Sequence, residues 1–209
     1  MAPPDRDDAL TLEILETIGA RSDVTQRHLA DRLGVALGLA NSYLRRCARK
    51  GLIKIQQAPA NRYLYYLTPQ GFAEKSRLTA QYLKASFDMY RRTSDATVEV
   101  LQQCEARGWR RLLACGVSEV TEVLSVRAHD FEVELIGTFD PDSRLGRFIG
   151  RPVWQRFEDV VAFDGCVFTA LVNSEQRHRE LIVRLGSDAV IVPATLTALV
   201  QVNPVEAAP

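Results

Sequence analysis

Within the stretch VTQRHLADRLGVALGLANSYLRRCARKGLIKI, Asn41, Ser42, Arg45, Arg46 and Arg49 fall on one side of a helical repeat. Leu37, Ala40, Leu44 and Cys47 or Ala48 fall on the other. An asparagine amide matches the donor and acceptor on an adenine edge, and arginine matches guanine edges or phosphates, so the stripe has duplex-reading chemistry. Taken alone, such a stripe also fits the solvated face of a helical hairpin. A second cluster lies further along, where RLLACGVSEVTE runs from a buried-looking segment into Gly116. A dinucleotide turn needs three glycines: one to turn, one to admit pyrophosphate and one to let helix meet strand. Only Gly116 is present, with Ser118 and Thr121 at the other two places. Asp140 follows Gly116 by 24 residues, near the spacing of about 20 at which an acid meets a ribose hydroxyl. Gly116, Ser118, Asp140, Asp142 and Asn173 are the candidate ligand residues.

The elements that must position the first cluster are readable. Apolar residues from Ala9 to Ile18 suit a helix that follows the acidic cluster Asp5, Asp7 and Asp8. Thr25 caps a short helix through Leu33, with Leu29, Ala30 and Leu33 inward, and Gly34 supplies the turn. The second helix runs from about Leu37 to Lys50 and ends at Gly51. Two short helices joined by a glycine-containing turn fit a helix-turn-helix. Leu52 to Ile55 and Tyr63 to Leu67 then alternate as strands around turn formers at 57–61, and Thr68-Pro69 opens another helix. That order is a winged helix, with Lys54 and Arg62 flanking a hairpin tip that can reach the DNA backbone. Thr25 and Gln26, at the start of the first short helix, join the candidate DNA contacts. The stretch from Phe72 to Arg92 reads as a long helix with more apolar residues than one face of a lone domain needs, and it is a candidate dimer seam. Two half-sites on one face of a duplex lie about 34 Å apart, which favours a pair of subunits.

TQRHLADRLGVALGLANSYLRRCARKGLIKI and LTPQGFAEKSRLTAQYLK resemble the short MarR-type regulators associated with exopolysaccharide biosynthesis loci. The likeness covers roughly residues 10 to 92. It implies a dimeric winged-helix DNA-binding domain, with Gly38, Asn41, Tyr43, Leu44 and the basic residues of the same helix at the reading positions. Ala36 stands where that group tends to have a helix-capping serine, a loss of about 1 kcal/mol. Leu39 stands where it usually has lysine.

After polar residues near Arg91 to Asp95, a candidate boundary, the pattern changes. A helix from Val98 to Arg107 precedes strands at RRLLACG, FEVELIGTFD, CVFTALV and DAVIVP. Helices at 117–126 and 173–184, and a short one near 157–161, separate those strands, so the expected sheet is parallel and doubly wound. Overall the chain reads as α/β: a mostly α winged helix-turn-helix with a β-hairpin wing at 1–92, a Rossmann-like parallel-sheet domain at 97–200, and a tail at 201–209. The block IGTFDPDSRLGRFIGRPVW is similar to the nucleotide-binding-like domain of sugar acyltransferases and polysaccharide epimerases. This implies a pocket at the strand ends. The architecture also resembles the Rex repressors, which implies an NAD(H)-responsive repressor, although the missing glycines oppose a dinucleotide. A nucleotide or nucleotide-sugar, a sugar, and a ligand-free scaffold all stay open.

The bulk numbers restrict the function. The chain has 209 residues, 46% hydrophobic and 25% charged, as an ordinary globular protein does. Lys and Arg equal Asp and Glu at 26 each, but residues 1–92 carry 15 against 9 and the rest 11 against 17. A basic front and an acidic back point to a polyanion partner for the front alone. No apolar run nears the roughly 18 residues of a membrane helix, and MAPPDRDDAL lacks a signal-peptide layout, so a cytoplasmic protein without membrane contact is expected. Cys47, Cys104, Cys115 and Cys166 read as buried thiols, with a redox role for Cys115 as the alternative. His28, His129 and His178 are scattered, so no metal set is assigned. No Gly-x-Ser-x-Gly, Walker loop or carboxylate pair with a base can be assembled, so no catalytic residue is assigned and the chain is not read as an enzyme. The reading is a sequence-specific transcriptional regulator, of polysaccharide genes by resemblance, that binds double-stranded DNA as a homodimer, with a second domain that either senses a small-molecule effector or dimerises. Its rivals are a nucleotide-sugar enzyme with an accessory helical domain and a protein-interaction adaptor.

Overall fold

The computed structural model describes residues 5–59 and 62–200. The chain forms two compact units that divide between Asp88 and Met89.

In the first unit, α1 (Arg6–Ala20), α2 (Gln26–Leu33) and α3 (Leu37–Arg49) precede a hairpin of β1 (Ile53–Ala58) and β2 (Arg62–Leu67). The Thr25 hydroxyl accepts the His28 N–H at 3.1 Å, the expected cap of α2, and Gly34 ends that helix at φ +61°. Ala36 gives α3 no side-chain cap. Ile14, Leu15, Leu29, Leu44, Ile53 and Tyr65 form the buried core, which gathers one face from each helix and the base of the hairpin. Leu37, expected inside, is exposed, because α3 begins beyond the reach of that core. β1 continues to Ala58, further than the expected end at Ile55, and pairs antiparallel with β2. The turn residues Ala60 and Asn61 lie outside the described residues, as does the tail at 201–209.

Helix α4 runs without a break from Pro69 to Ala106. The polar stretch taken as a boundary and the separate helix expected at 98–107 are therefore parts of one helix. The segment contains no proline or glycine to stop it, and Thr93, Ser94 and Thr97 are buried. Thr97 satisfies its own hydroxyl by donating to the Thr93 carbonyl at 2.7 Å, which removes the reason for a polar run to leave the helix. Thr68 caps α4 by accepting the Gly71 N–H at 3.0 Å. Gly71 lies where any Cβ would come within 1.9 Å of the Leu52 carbonyl oxygen, so the start of α4 can pack on the wing only with glycine there.

The second unit is built on a six-stranded sheet in the order β5-β6-β4-β3-β7-β8. Its strands are β3 (Arg111–Cys115), β4 (Glu134–Phe139), β5 (Arg147–Phe148), β6 (Arg151–Trp154), β7 (Gly165–Phe168) and β8 (Val190–Ile191). All neighbours are parallel except the edge pair β5 and β6. Counting only the parallel strands in chain order gives 3-2-1-4-5, so the winding direction reverses between β3 and β7. The hairpin β5–β6 was not legible as strands. Its segment RFIGRPVW mixes arginines, a glycine and a proline among the apolar residues and lacks the apolar run that marks the equally short β7 and β8.

Alternate residues of β3 serve two cores. Leu112 and Ala114 pack with Val100, Leu101 and Cys104 of α4 and Leu124 of α5 (Glu119–Arg127). Leu113 and Cys115 pack with Phe168, Leu181 of α6 (Ser174–Leu185) and Leu196, just before α7 (Thr197–Val200). Burial pushes the Cys104 thiol up to about 12 and raises Cys47 as well, as expected of buried thiols. Cys115 and Cys166 correct that expectation. They are joined as a disulfide across the adjacent parallel strands β3 and β7, as a diagonal pair on one sheet face: Cys166 stands opposite Leu113, and Cys115 opposite Phe168.

Candidate functional site

The front cluster comes from one face of α3. Gly38, Asn41, Ser42, Arg45 and Arg49 line a single hollow with Ala48 and Ile55 of β1. Steps of three and four residues place them along one stripe, while Ala40, Leu44 and Cys47 hold the opposite stripe in the core. Ser42, Arg45 and Arg49 are exposed. Asn41 is half-buried, and its amide oxygen is buried with no hydrogen-bond partner. A buried acceptor left unpaired costs roughly 1–3 kcal/mol, so this side chain favours a state in which a donor reaches it. An adenine amino group is such a donor. Ile55, exposed on β1, is a lining residue that sequence reasoning missed, because its strand had been ended there.

Four of the other candidates behave differently. Arg46 pairs with Asp7 of α1 at 2.5 Å, and the Tyr43 hydroxyl donates to the same carboxylate. The hydrogen bond from Tyr43 and then that from Arg46 hold the Asp7 carboxyl below its ordinary range. The same contacts raise Tyr43 and Arg46. These two side chains clamp α3 to α1 rather than joining the open stripe. The acidic cluster, expected before the helix, lies at its N-cap and in its first turn; it was read only as a favourable helix start, and its reach to α3 had no sequence signal. Gln26 donates to the Tyr65 hydroxyl at 3.2 Å, so it ties α2 to the wing. Thr25 spends its hydroxyl oxygen on the cap of α2. Arg62 is exposed beside the hairpin tip, opposite Ala58. Lys54 is exposed too but pairs with Tyr66 at the base of the hairpin, a correction to its placement at the tip.

In the second unit the loops after β3, β4 and β7 meet where the winding reverses, the place at which such sheets hold ligands. Here the loops bond mostly to one another. The Val117 N–H donates to Asp140 at 2.8 Å, and Arg177 of α6 donates to Asp140 at 2.9 Å and to Asp142 at 2.5 Å. Burial opposes the charge of Arg177, but hydrogen bonds to Asp142 and Asp140 outweigh it and raise its pKa. Ser118 donates to the Thr169 carbonyl at 2.6 Å, and both Thr121 and Thr169 donate to the Gly116 carbonyl. At Gly116, φ is +124° and a Cβ would lie 2.5 Å from the Ala170 backbone, so the first glycine admits a neighbouring loop. The turn N–H that a phosphate would take is held by a buried carboxylate, which disfavours a second anion there. Thr121, in place of the third glycine, forms part of the bonding that joins the loops.

The five ligand candidates do not share one site. Ser118, Asp140 and Asp142 line a hollow of about 450 Å³, Gly116 lines another cavity, and Asn173 lines a third hollow with Leu171 and Leu199. Asn173 itself takes a left-handed backbone at φ +52° before α6. Among the described residues no group of His, Cys, Asp or Glu is arranged to hold a metal ion, and no helix is long and apolar enough to cross a membrane.

The family model described as winged helix-turn-helix DNA-binding matches residues 7–54, which contain α1, α2, α3 and the start of the wing. The front unit is a winged helix-turn-helix. No curated protein matches the chain. Among solved structures, FabT of Streptococcus pneumoniae in complex with DNA is 27% identical, covering 38% of this chain and 56% of that one, at a TM-score of 0.32. A MarR family protein of Mycobacterium tuberculosis in complex with p-aminosalicylic acid is 20% identical over 47% and 77%, at 0.36. MepR, regulator of the Staphylococcus aureus efflux pump MepA, is 20% identical over 41% and 62%, at 0.33. The chain thus spans little more than half the length of the first of these, and TM-scores this low establish no shared fold along the whole chain.

Proposed function

We propose that this chain is a transcriptional regulator of the MarR type, not an enzyme. It grips double-stranded DNA as a homodimer through the α3 stripe and is modulated by a small effector in its second unit. The observation that carries this reading is the convergence of Asn41, Ser42, Arg45 and Arg49 on one hollow of a winged helix-turn-helix, with the Asn41 oxygen awaiting a donor. An α-helix fits the major groove, and this stripe offers both base-reading and phosphate-binding groups. Dimerisation is supported by Leu83, Phe87 and Tyr90, exposed at steps of four and three along α4, because a lone helix gains nothing by presenting such a strip to water.

The second unit is proposed to be a Rossmann-like sensor. The 3-2-1-4-5 order supports the fold, and the self-bonded turn argues for an effector other than a dinucleotide. Polysaccharide-biosynthesis genes are the proposed targets, on the strength of the block LTPQGFAEKSRLTAQYLK. The test is selection of duplexes from a random pool by the purified full chain, followed by titration at several salt concentrations. A palindromic preference with steep salt dependence supports the proposal. Weak binding without sequence preference would leave the adaptor reading in its place.

A further inference from the structure

The crossover from β6 to β7 spans residues 155–164, and its only helix is the single 3-10 turn Phe157–Asp159. A doubly wound sheet usually carries a full helix at this crossover. The sheet face beside α6 is covered there by Phe157, Val160 and Phe163 of the crossover instead of a helix, and a cavity of about 700 Å³ lies between the crossover and α6. That volume is in the range of small-molecule sites, roughly 300–1,000 Å³. It is a separate cavity from the self-bonded hollow described above, with Arg177 lining both.

The chemistry of its wall is two-sided. Phe139, Phe157, Phe168 and Leu181 form an apolar lining, with the ring of Phe157 edge-on to Phe139 at 5.1 Å. Four guanidinium groups, those of Arg156, Arg177, Arg179 and Arg184, also line it, against the carboxylates of Glu158 and Glu180. Arg184 sits over the Phe157 ring at 4.8 Å and pairs with Glu158 at 3.0 Å, which ties the crossover to α6. Arg177 reaches Asp140 and Asp142 through Nη2, but its Nε is buried and has no hydrogen-bond partner. A buried guanidinium N–H without an acceptor is a cost that an incoming anion removes.

We propose that this cavity binds an organic anion with an apolar body, an aromatic or short aliphatic carboxylate or sulfonate, whose ring or chain rests on the phenylalanines while its charge meets the arginines. This deepens the sensor part of the proposed function and rests on that reading only for the effect on DNA binding. Inorganic phosphate fits less well, since without an apolar body it leaves the aromatic floor uncovered. A neutral sugar leaves both the floor and the arginines unmatched.

The test is calorimetric titration of the full chain with 1-naphthoate, its uncharged alcohol analogue 1-naphthalenemethanol, and inorganic phosphate. Naphthoate is expected to bind once per chain and at least about tenfold more tightly than the alcohol, and phosphate not to compete. The exposed pair Arg156→Gln with Arg184→Gln is expected to lower naphthoate affinity about tenfold and leave the alcohol unchanged. Val183→Trp, at a lining position 84% exposed, is expected to obstruct both. Equal affinity for the acid and the alcohol, displacement by phosphate, or no naphthoate binding by folded wild-type protein would overturn the proposal. Duplex binding is measured on the same preparations. Failure of the ligand-free chain to bind any duplex, with naphthoate binding intact, defeats the regulator reading and leaves the cavity assignment standing.

Discussion

Arg45, Arg46 and Arg49 look interchangeable as a run of basic residues, but the fold assigns them different work. Arg45 and Arg49 are exposed and line the hollow of α3, whereas Arg46 is bound to Asp7. The logarithm of DNA affinity falls with the logarithm of salt by about 0.9 per phosphate contacted. Replacing Arg45 and Arg49 together by alanine removes four contacts from the proposed dimer, so the slope should become shallower by about 3.6, less whatever share of those contacts goes to bases. Replacing Arg46 alone should leave the slope almost unchanged and appear instead as a small loss of thermal stability, because it opens an exposed clamp between α1 and α3. Asp7→Asn releases Arg46 and removes an anion near the duplex, so it should steepen the slope by as much as about 1.8 per dimer. The assay is fluorescence anisotropy of a labelled duplex at five or more salt concentrations, with circular dichroism to confirm folding. If Arg46→Ala flattened the slope as much as Arg45→Ala, the partition of the three arginines would be wrong. If none of the three changed it, α3 would not face the duplex at all.

Other consequences can be measured on the protein alone. The Asp7 carboxyl is held below its ordinary value by Tyr43 and Arg46, so its favourable contribution is complete above the unfolded value near 3.8 and fades as pH falls through the lower folded value. The melting temperatures of wild type and Asp7→Asn should therefore differ at pH 7 and converge toward pH 3. A difference that grows on acidification contradicts the clamp. Gly71→Ala forces a Cβ against the Leu52 carbonyl and should cost the first unit about 3 kcal/mol, seen in urea unfolding, while Thr25→Ala should cost about 1 kcal/mol through loss of the α2 cap. Thiol counting in denaturant without reductant should find two free cysteines, Cys47 and Cys104, and four would refute the bond between Cys115 and Cys166.

What sequence reasoning recovered follows from where the physics is local. The cap at Thr25, the turn at Gly34 and the opposite stripes of α3 depend on residues within a few positions of one another, and all were legible. Alternation and turn residues likewise gave the strands of the wing and the parallel core, though not the two short edge strands. The contacts that redefine the sites join distant residues. Asp7 meets Arg46 across 39 positions, Val117 meets Asp140 across 23, and Arg177 meets Asp140 across 37. No periodicity carries such information. The unbroken helix α4 was missed for a different reason, since a polar run reads as a break until one knows that Thr97 satisfies itself inside the helix.

The same distinction bears on why the second unit has a 3-2-1-4-5 parallel strand order without a three-glycine turn. A missing glycine in a fingerprint can be a simple loss, in which case its neighbours keep their old geometry around an emptied site. Here the substituting residues bond productively. Ser118 and Thr121 connect the β3 loop to the β7 loop, Asp140 takes the turn N–H, and Gly116 remains because Ala170 packs against it. A turn restructured in this way no longer offers its amides to phosphate, while the shortened crossover opens an apolar cavity on the adjoining face. The stability of the β3 turn should therefore depend on its own hydroxyls. Thr169→Val, which deletes a buried group bonded to both Gly116 and Thr121, should cost about 1–3 kcal/mol with or without added nucleotide. Measured by urea unfolding, recovery of that loss on adding a dinucleotide would show that the turn still awaits its phosphate.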